Sequence, residues 1–468
     1  MTGWIERENP ARLGEIAGRV PETPETEVDA VVRAADAAQR AWAATPLPER
    51  LAALDRVADL LGTEEQAVLL ARETGKPVGD CRGELRFSAA YLRWVVERAP
   101  AAYADAEVDD EAGRLLLSRR PYGVVAAITP WNAPIILAML KLGPALAAGN
   151  TVVVKPSPLA PLTISAVAGL FPDGLVRVVH GGAATGAALV GHPLVRKIAF
   201  TGGEAAGRAI GAAAGAMITP VVMELGGNDA AVLLDDADLS EPAMERLVLA
   251  SFASAGQVCM AAKRLYVPAR REREFREAYT AAAARILVLG DPLDPRTTVG
   301  PVISAEAAER VLALRGDGTA VELGTVACDP ARGHFVRPVL LLGAADDAPA
   351  VREEQFGPIV PLLTYDDEES VLARANDGEL GLGASVWSAD EERAFAFARR
   401  FEAGFTFVNT HNRTGMALRA PFGGVKRSGF GREYGVEGLA EYVQTCVVHA
   451  PAAFRAGGGG LAPGAYPV

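Results

Sequence analysis

A chain of 468 residues, at about 150 per domain, holds roughly three structural units with ample core to bury. Half of its residues are hydrophobic and 22% are charged, which excludes a disordered chain. The 46 basic and 58 acidic side chains leave a formal charge of −12, an acidic field that argues against nucleic acid or an anionic membrane as the main partner while leaving room for a local basic pocket.

The first residues carry charges where an export signal would need an apolar run, so the expected location is the cytoplasm. Residues 28–42 and 49–61 space apolar side chains at helical intervals. Gly62 and Thr63 separate the second helix from a third that runs toward Glu73 and is stopped by Gly75-Lys76-Pro77. A helical pattern over 83–98 follows, and 112–120 reads as strand. Residues 122–140 lack a formal charge and mimic a membrane span, but Pro130, Asn132 and Pro134 divide them into strand, loop and helix.

From Gly123 onward β-branched runs alternate with helices. The strands are expected at 124–128, 151–154, 175–179 and 197–200, and helical patterns begin at Pro134, Leu162, Thr185 and Glu204. This alternation predicts a mostly parallel sheet covered by helices. A second alternating region spans 230–408, and no internal repeat is present. Residues 451–468, rich in Gly, Ala and Pro, read as a flexible tail, with docking on a neighbouring subunit as the alternative.

The chain has no complete G-x-G-x-x-G, Walker A, H-E-x-x-H or G-x-S-x-G motif. Cys81, Cys259, Cys328 and Cys446 are dispersed, a reduced pattern, and the five scattered histidines suggest no metal site. Gly256-Gln257-Val258-Cys259 offers either a nucleophilic thiol or a buried cysteine that packs as a small hydrophobe. Its company favours chemistry. Met223-Glu224-Leu225-Gly226-Gly227 sets a carboxylate before a double glycine, where backbone can approach a ligand. Thr129-Pro130-Trp131-Asn132 ends a strand with a neutral amide donor suited to an oxyanion. Phe200-Thr201-Gly202 ends another strand and leads into a helix whose N-terminus suits a pyrophosphate.

Together these segments resemble the NAD(P)-dependent aldehyde dehydrogenase superfamily. Further matches follow in the family's order: Glu73-Thr74-Gly75-Lys76-Pro77, Lys155-Pro156-Ser157, Glu353-Glu354-Gln355-Phe356-Gly357-Pro358, Asn376-Asp377, Pro421-Phe422-Gly423-Gly424-Val425-Lys426, Ser428-Gly429 and Gly431-Arg432-Glu433. The resemblance runs from about Asn9 to Val448. It implies an α/β fold with a Rossmann-type cofactor domain over 1–102 and 122–226, and an α/β catalytic domain over 227–427. A β oligomerisation element over 103–121 and 440–450 would complete a homodimer or homotetramer.

The resemblance also implies roles. Cys259 would add to an aldehyde, with Asn132 and the Cys259 backbone N–H holding the oxyanion, and Glu224 would activate water against the thioester. Lys141 and Glu433 match a proton relay behind that base, or form an ordinary ion pair. Glu354 would hold the nicotinamide ribose with Phe356 beside it, and Lys155 the adenosine ribose. Trp131 and the loop at Gly202 would approach the pyrophosphate, and Thr129, Ser157, Thr201 and Leu225 join the expected cofactor contacts. The substrate tunnel would take Ala133, Leu137, Leu140, Val258, Met260 and Phe422.

Departures from the family pattern matter as well. Pro158 stands where members often carry a Glu that grips the ribose and repels a 2′-phosphate, so NADP is admitted beside NAD. Gly203 stands where a Ser is usual. Ala133 and Leu140 replace common aromatics, which suggests a wide apolar tunnel and a bulky aromatic or aliphatic aldehyde. Arg413 and Arg419 leave open a semialdehyde, whose carboxylate an arginine would anchor. A coenzyme A-dependent acylating enzyme and a non-catalytic cofactor-binding protein are the remaining alternatives.

Overall fold

The computed structural model describes residues 3–316 and 318–452. The segment 453–468, most of the expected tail, lies outside the described residues, and the last strand reaches Pro451.

The chain opens on a hairpin, β1 (Trp4–Glu8) and β2 (Ile16–Pro21), a stretch for which the sequence predicts no strand. Its strands are mostly polar, so neither periodicity nor β-branched enrichment announces them. Helices α1 (Glu25–Ala44), α2 (Leu47–Leu60), α3 (Glu64–Thr74) and α4 (Val78–Ala102) follow. Thr63 and Gln66 close a reciprocal capping box at the start of α3. Gly75 ends it at φ 76°, a left-handed conformation that disfavours a side chain. The fourth helix exceeds the expected 83–98 at both ends.

After β3 (Ala106–Asp110) and β4 (Gly113–Pro121) comes the parallel region: β5 (Val124–Thr129), α5 (Pro134–Ala148), β6 (Thr151–Pro156), α6 (Leu162–Ala168), β7 (Val176–Val178), α7 (Ala183–Val190), β8 (Val195–Thr201), α8 (Glu204–Met217) and β9 (Val221–Glu224). Each strand and helix anticipated here forms. Every residue of β5 and β6 is buried, which explains runs without polar alternation. The six-stranded sheet runs from the short strand Gly429–Phe430 through β9, β8, β5 and β6 to β7, parallel except at that first pairing. Chain order reverses between β5 and β8. Open α/β sheets bind ligands at such a point, outside the carboxyl ends of the strands.

A seven-stranded sheet centres on β10 (Asp229–Leu233) and β11 (Ala262–Pro268), with α9 (Glu241–Phe252) between them in sequence. Strands Gly383–Trp387 and Phe405–Val408 extend one side, and Ile359–Tyr365, Val339–Leu342 and Thr319–Glu322 the other. A third sheet pairs Val443–Pro451 with β4 and β4 with β3, all antiparallel. The largest apolar cluster joins α2 to α5 with β5 and β6, and Cys259 packs against its edge. Among the described residues no helix is long and apolar enough to cross a membrane.

Candidate active site

The carboxyl ends of β5 and β8 open on a cavity of about 300 Å³. Trp131, Asn132 and Leu137 line one wall, Thr201, Gly202 and Gly203 another, and Cys259 faces it with Glu354 and Phe356. Leu225 joins them, so ten of the expected site residues meet in this one space.

The path into Cys259 is strained. Ser254 and Ala255 hold φ of 54° and 56°, and Gly256 follows at 70°. Left-handed non-glycine residues in succession cost energy that the surrounding fold must offset. At Gly256 a side chain would meet the Gly357 carbonyl. The next carbonyl, that of Gln257, accepts the Asn132 side-chain amide at 3.0 Å. Asn132 is thereby fixed beside Cys259, and its second amide hydrogen has no partner among the described residues. Helix α5 starts two residues later, and Glu84 caps it by accepting from the Ile135 and Ile136 amides at 2.8 and 3.2 Å. Glu84 is in turn ion-paired with buried Lys76. Neither Glu84 nor Lys76 was anticipated here, because their contacts are made only by tertiary packing.

Glu224 ends β9 and is 3% exposed, and neither of its carboxylate oxygens has a partner among the described residues. Burial, then repulsion from Glu433, pushes its carboxyl well above the usual carboxylate range. Gly423 leaves it room, for a side chain there would come within 2.8 Å of Glu224 Oε1. Behind it Lys141 donates to Glu433 Oε1 and to Thr201 Oγ1, each at 2.7 Å, with both charged groups buried. Lys141 and Glu433 are therefore an ion pair in this structure. A relay role is a separate matter.

Glu354 accepts from the Gly227 amide at 3.2 Å and lies 3.4 Å from the Lys263 ammonium, and burial raises its carboxyl. Gly226 has no room for a side chain against the same carboxylate. Phe356 meets Trp131 edge to face at 5.4 Å. Arg310, on helix Ala305–Ala313, reaches the cavity while donating to the Glu354 and Gln355 carbonyls at 3.1 and 2.7 Å. Sequence reasoning missed it, since an arginine on an exposed helix face reads as solvated charge.

Thr129, Lys155, Ser157 and Pro158 lie outside this cavity wall, at the ends of β5 and β6. The buried Thr129 hydroxyl has no partner among the described residues. Burial lowers the Lys155 ammonium to about 8, and its one hydrogen bond among the described residues is a 3.5 Å contact to the Pro156 carbonyl. Ala133, Leu137 and Met260 pack with Cys259 on the edge of the main apolar cluster. Val258 is half-buried, whereas Leu140 and Phe422 belong to the core itself. Among the described residues no group of three or more metal-ligating side chains gathers.

Fold and cavity together define an α/β protein with a cysteine thiol on a cavity at the reversal of its parallel sheet. The model of the aldehyde dehydrogenase family matches residues 2–448, and the chain belongs to that family. It is 37% identical to a glutarate-semialdehyde dehydrogenase of Pseudomonas putida, covering 95% of this chain and 94% of that one. It is likewise 37% identical to the NADP(+) succinate-semialdehyde dehydrogenase GabD of Escherichia coli, with the same coverage of each. Among solved structures it superposes with a TM-score of 0.89 on a mutant of aldehyde dehydrogenase AldC of Pseudomonas syringae in complex with NAD+ and octanal. That pair is 33% identical over 95% of this chain and 93% of the other.

Proposed function

We propose that this enzyme oxidises an aldehyde to a carboxylic acid through a covalent intermediate on Cys259, with NAD or NADP as acceptor. The observation that carries the reading is the meeting of Cys259, Asn132 and Glu354 on one cavity at the reversal of the sheet, with Glu224 buried behind it. The cofactor fits the groups present. The unpartnered Thr129 hydroxyl, the scarcely engaged Lys155 ammonium and the open backbone at Gly203 suit a ribose and a pyrophosphate. Lys155 would hold the adenosine side, Glu354 the nicotinamide ribose, and Arg310 an adjacent phosphate or hydroxyl. When bound, the nicotinamide accepts the hydride that leaves the substrate carbon.

The Cys259 thiolate adds to the carbonyl carbon and forms a carbon–sulfur bond, while the carbonyl π electrons move onto oxygen. Asn132 and the Cys259 N–H stabilise that oxyanion. The oxygen lone pair re-forms the carbonyl as hydride departs, leaving a thioester. Glu224 then takes a proton from water, the hydroxide adds, and the carbon–sulfur bond breaks to release acid and thiolate. Burial raises the Glu224 carboxyl, and both of its oxygens, without a hydrogen-bond partner among the described residues, are free to take up a proton from water. A coenzyme A-dependent outcome would not need this buried base.

The relatives shift the substrate reading. Bulky apolar aldehydes, the leading expectation, find no support in the semialdehyde dehydrogenases at 37% identity. We therefore place a dicarboxylic semialdehyde first. Arg413 is engaged by Asp80 at 2.9 Å, whereas Arg419 is exposed and has no ion-pair partner among the described residues. Met416 and Leu418, just before Arg419, pack against the apolar cluster that Cys259 borders. Arg419 is thus the better anchor for the substrate's far carboxylate. An apolar aldehyde stands second, favoured by the Ala133, Leu137 and Met260 surface.

Homo-oligomerisation through the three-stranded sheet is in keeping with Val447 and Val448, 58% and 56% exposed on its outer strand. The domain limits stated above and a cytoplasmic location complete the proposal. It is tested by following reduced-cofactor absorbance with succinate and glutarate semialdehydes, octanal and an aromatic aldehyde, each with NAD and NADP. Semialdehyde preference lost in Arg419→Leu supports it. Equal rates with all four substrates reject the anchor, and no turnover at all rejects the enzymatic reading.

A further inference from the structure

The catalytic loop is held by a buried cation that the mechanism above does not use. Lys263, the second residue of β11, is 3% exposed. Its ammonium donates to the Val258 carbonyl at 2.7 Å and to the Cys259 carbonyl, and pairs with Glu354 Oε1 at 3.4 Å. With Asn132 on the Gln257 carbonyl, three successive carbonyls around the nucleophile are bound by side chains. A buried ammonium is costly, and it is kept here by two carbonyls and one carboxylate.

We propose that Lys263 is a positioning residue that ties the cofactor-holding carboxylate of Glu354 to the Cys259 loop and supplies the positive field in which the Cys259 thiolate forms. The inference rests on the reading of Cys259 as nucleophile. The carboxyl groups of Glu354, Asp229 and Glu224 face the same thiol and oppose its ionisation. Tyr434 also stands near, and its hydroxyl is held neutral by burial. Burial pushes the thiol up to about 12, and Lys263 is the group that opposes it. A thiol so placed is unreactive near neutrality unless the balance of these charges changes. When Glu354 turns its carboxylate to a ribose, Lys263 is released from part of its pairing, and its charge acts more fully on the sulfur. Binding of the cofactor and arming of the thiol are then linked through one ammonium.

The test is the pH dependence of Cys259 alkylation by iodoacetamide in the cofactor-free enzyme. It is read by mass spectrometry on the Cys259 peptide, so that Cys81, Cys328 and Cys446 do not contribute. Lys263→Met should move the inflection upward and slow alkylation about tenfold at a fixed alkaline pH, and Lys263→Arg should restore most of the rate. Glu354→Gln keeps the ammonium and removes its counter-charge, so its inflection should move down. This second variant decides the matter if Lys263→Met does not fold. Unchanged profiles in the folded variants would overturn the inference and leave Lys263 a structural prop. If alkylating Cys259 in the wild type leaves turnover intact, it is the reading of Cys259 as nucleophile that fails.

Discussion

The side-chain amide of Asn132 donates to the main-chain carbonyl of Gln257 at 3.0 Å, binding the turn after β5 to the loop that carries Cys259. Two segments 125 residues apart are thereby registered against each other within a hydrogen bond's tolerance. The second amide hydrogen has no partner among the described residues, and on the proposed reading it is the oxyanion donor, oriented before substrate arrives.

Asn132→Ala should lower kcat/KM about 100- to 1,000-fold, the cost of removing an oxyanion donor. Cofactor affinity, measured by fluorescence titration, should hold within about twofold, since Asn132 is not assigned to the cofactor. A loss confined to cofactor affinity would place Asn132 elsewhere in the cycle.

Glu224 carries a pH signature in stability. Its carboxyl titrates higher in the folded chain than in the unfolded one, because burial and Glu433 disfavour its charge. Its contribution is therefore full below the unfolded value and declines as pH rises through the folded value. Glu224→Gln, which cannot ionise, should melt close to wild type near pH 5 and above it near pH 8. Thermal melts across that range check the sign.

How much of this was legible in the sequence depends on what each residue does. Cys259, Glu224 and Asn132 stood out because each ends or follows a run whose pattern marks a strand or a glycine turn, and because their neighbours resemble one family. Strands β5 and β6 were equally plain, since burial at every position leaves runs dominated by β-branched and small apolar residues, with Lys155 the one charge. The opening hairpin was hidden by its polar strands. Lys263, Glu84 and Arg310 were hidden for another reason. A charged side chain beside other charges reads as a solvated surface, and only tertiary packing shows that Lys263 and Glu84 are buried against backbone carbonyls and amides.

The Lys141–Glu433 pair is fully enclosed, so breaking it from one side leaves an uncompensated charge. Lys141→Met should destabilise the fold by about 3–5 kcal/mol in urea titration, and the Lys141→Met, Glu433→Leu double variant by much less. Equal losses in single and double variants would show that the two groups do not act as a pair.

Pro158 sets no charge beside the expected adenosine ribose. Pro158→Glu should raise KM for NADP about tenfold or more while leaving KM for NAD within about threefold, through repulsion of the 2′-phosphate. Parallel changes with both cofactors would put position 158 away from the ribose.

On the proposed chemistry the acyl group passes through Cys259 and is released by Glu224. Glu224→Gln should turn over about 100- to 10,000-fold more slowly and accumulate the thioester. Mixing this variant with oxidised cofactor and succinate semialdehyde, then quenching and digesting, should show one succinyl mass on the peptide containing Cys259. An unmodified Cys259 peptide after a full equivalent of reduced cofactor has formed, or an acyl mass on Cys81, Cys328 or Cys446 instead, would show that the acyl group does not pass through Cys259.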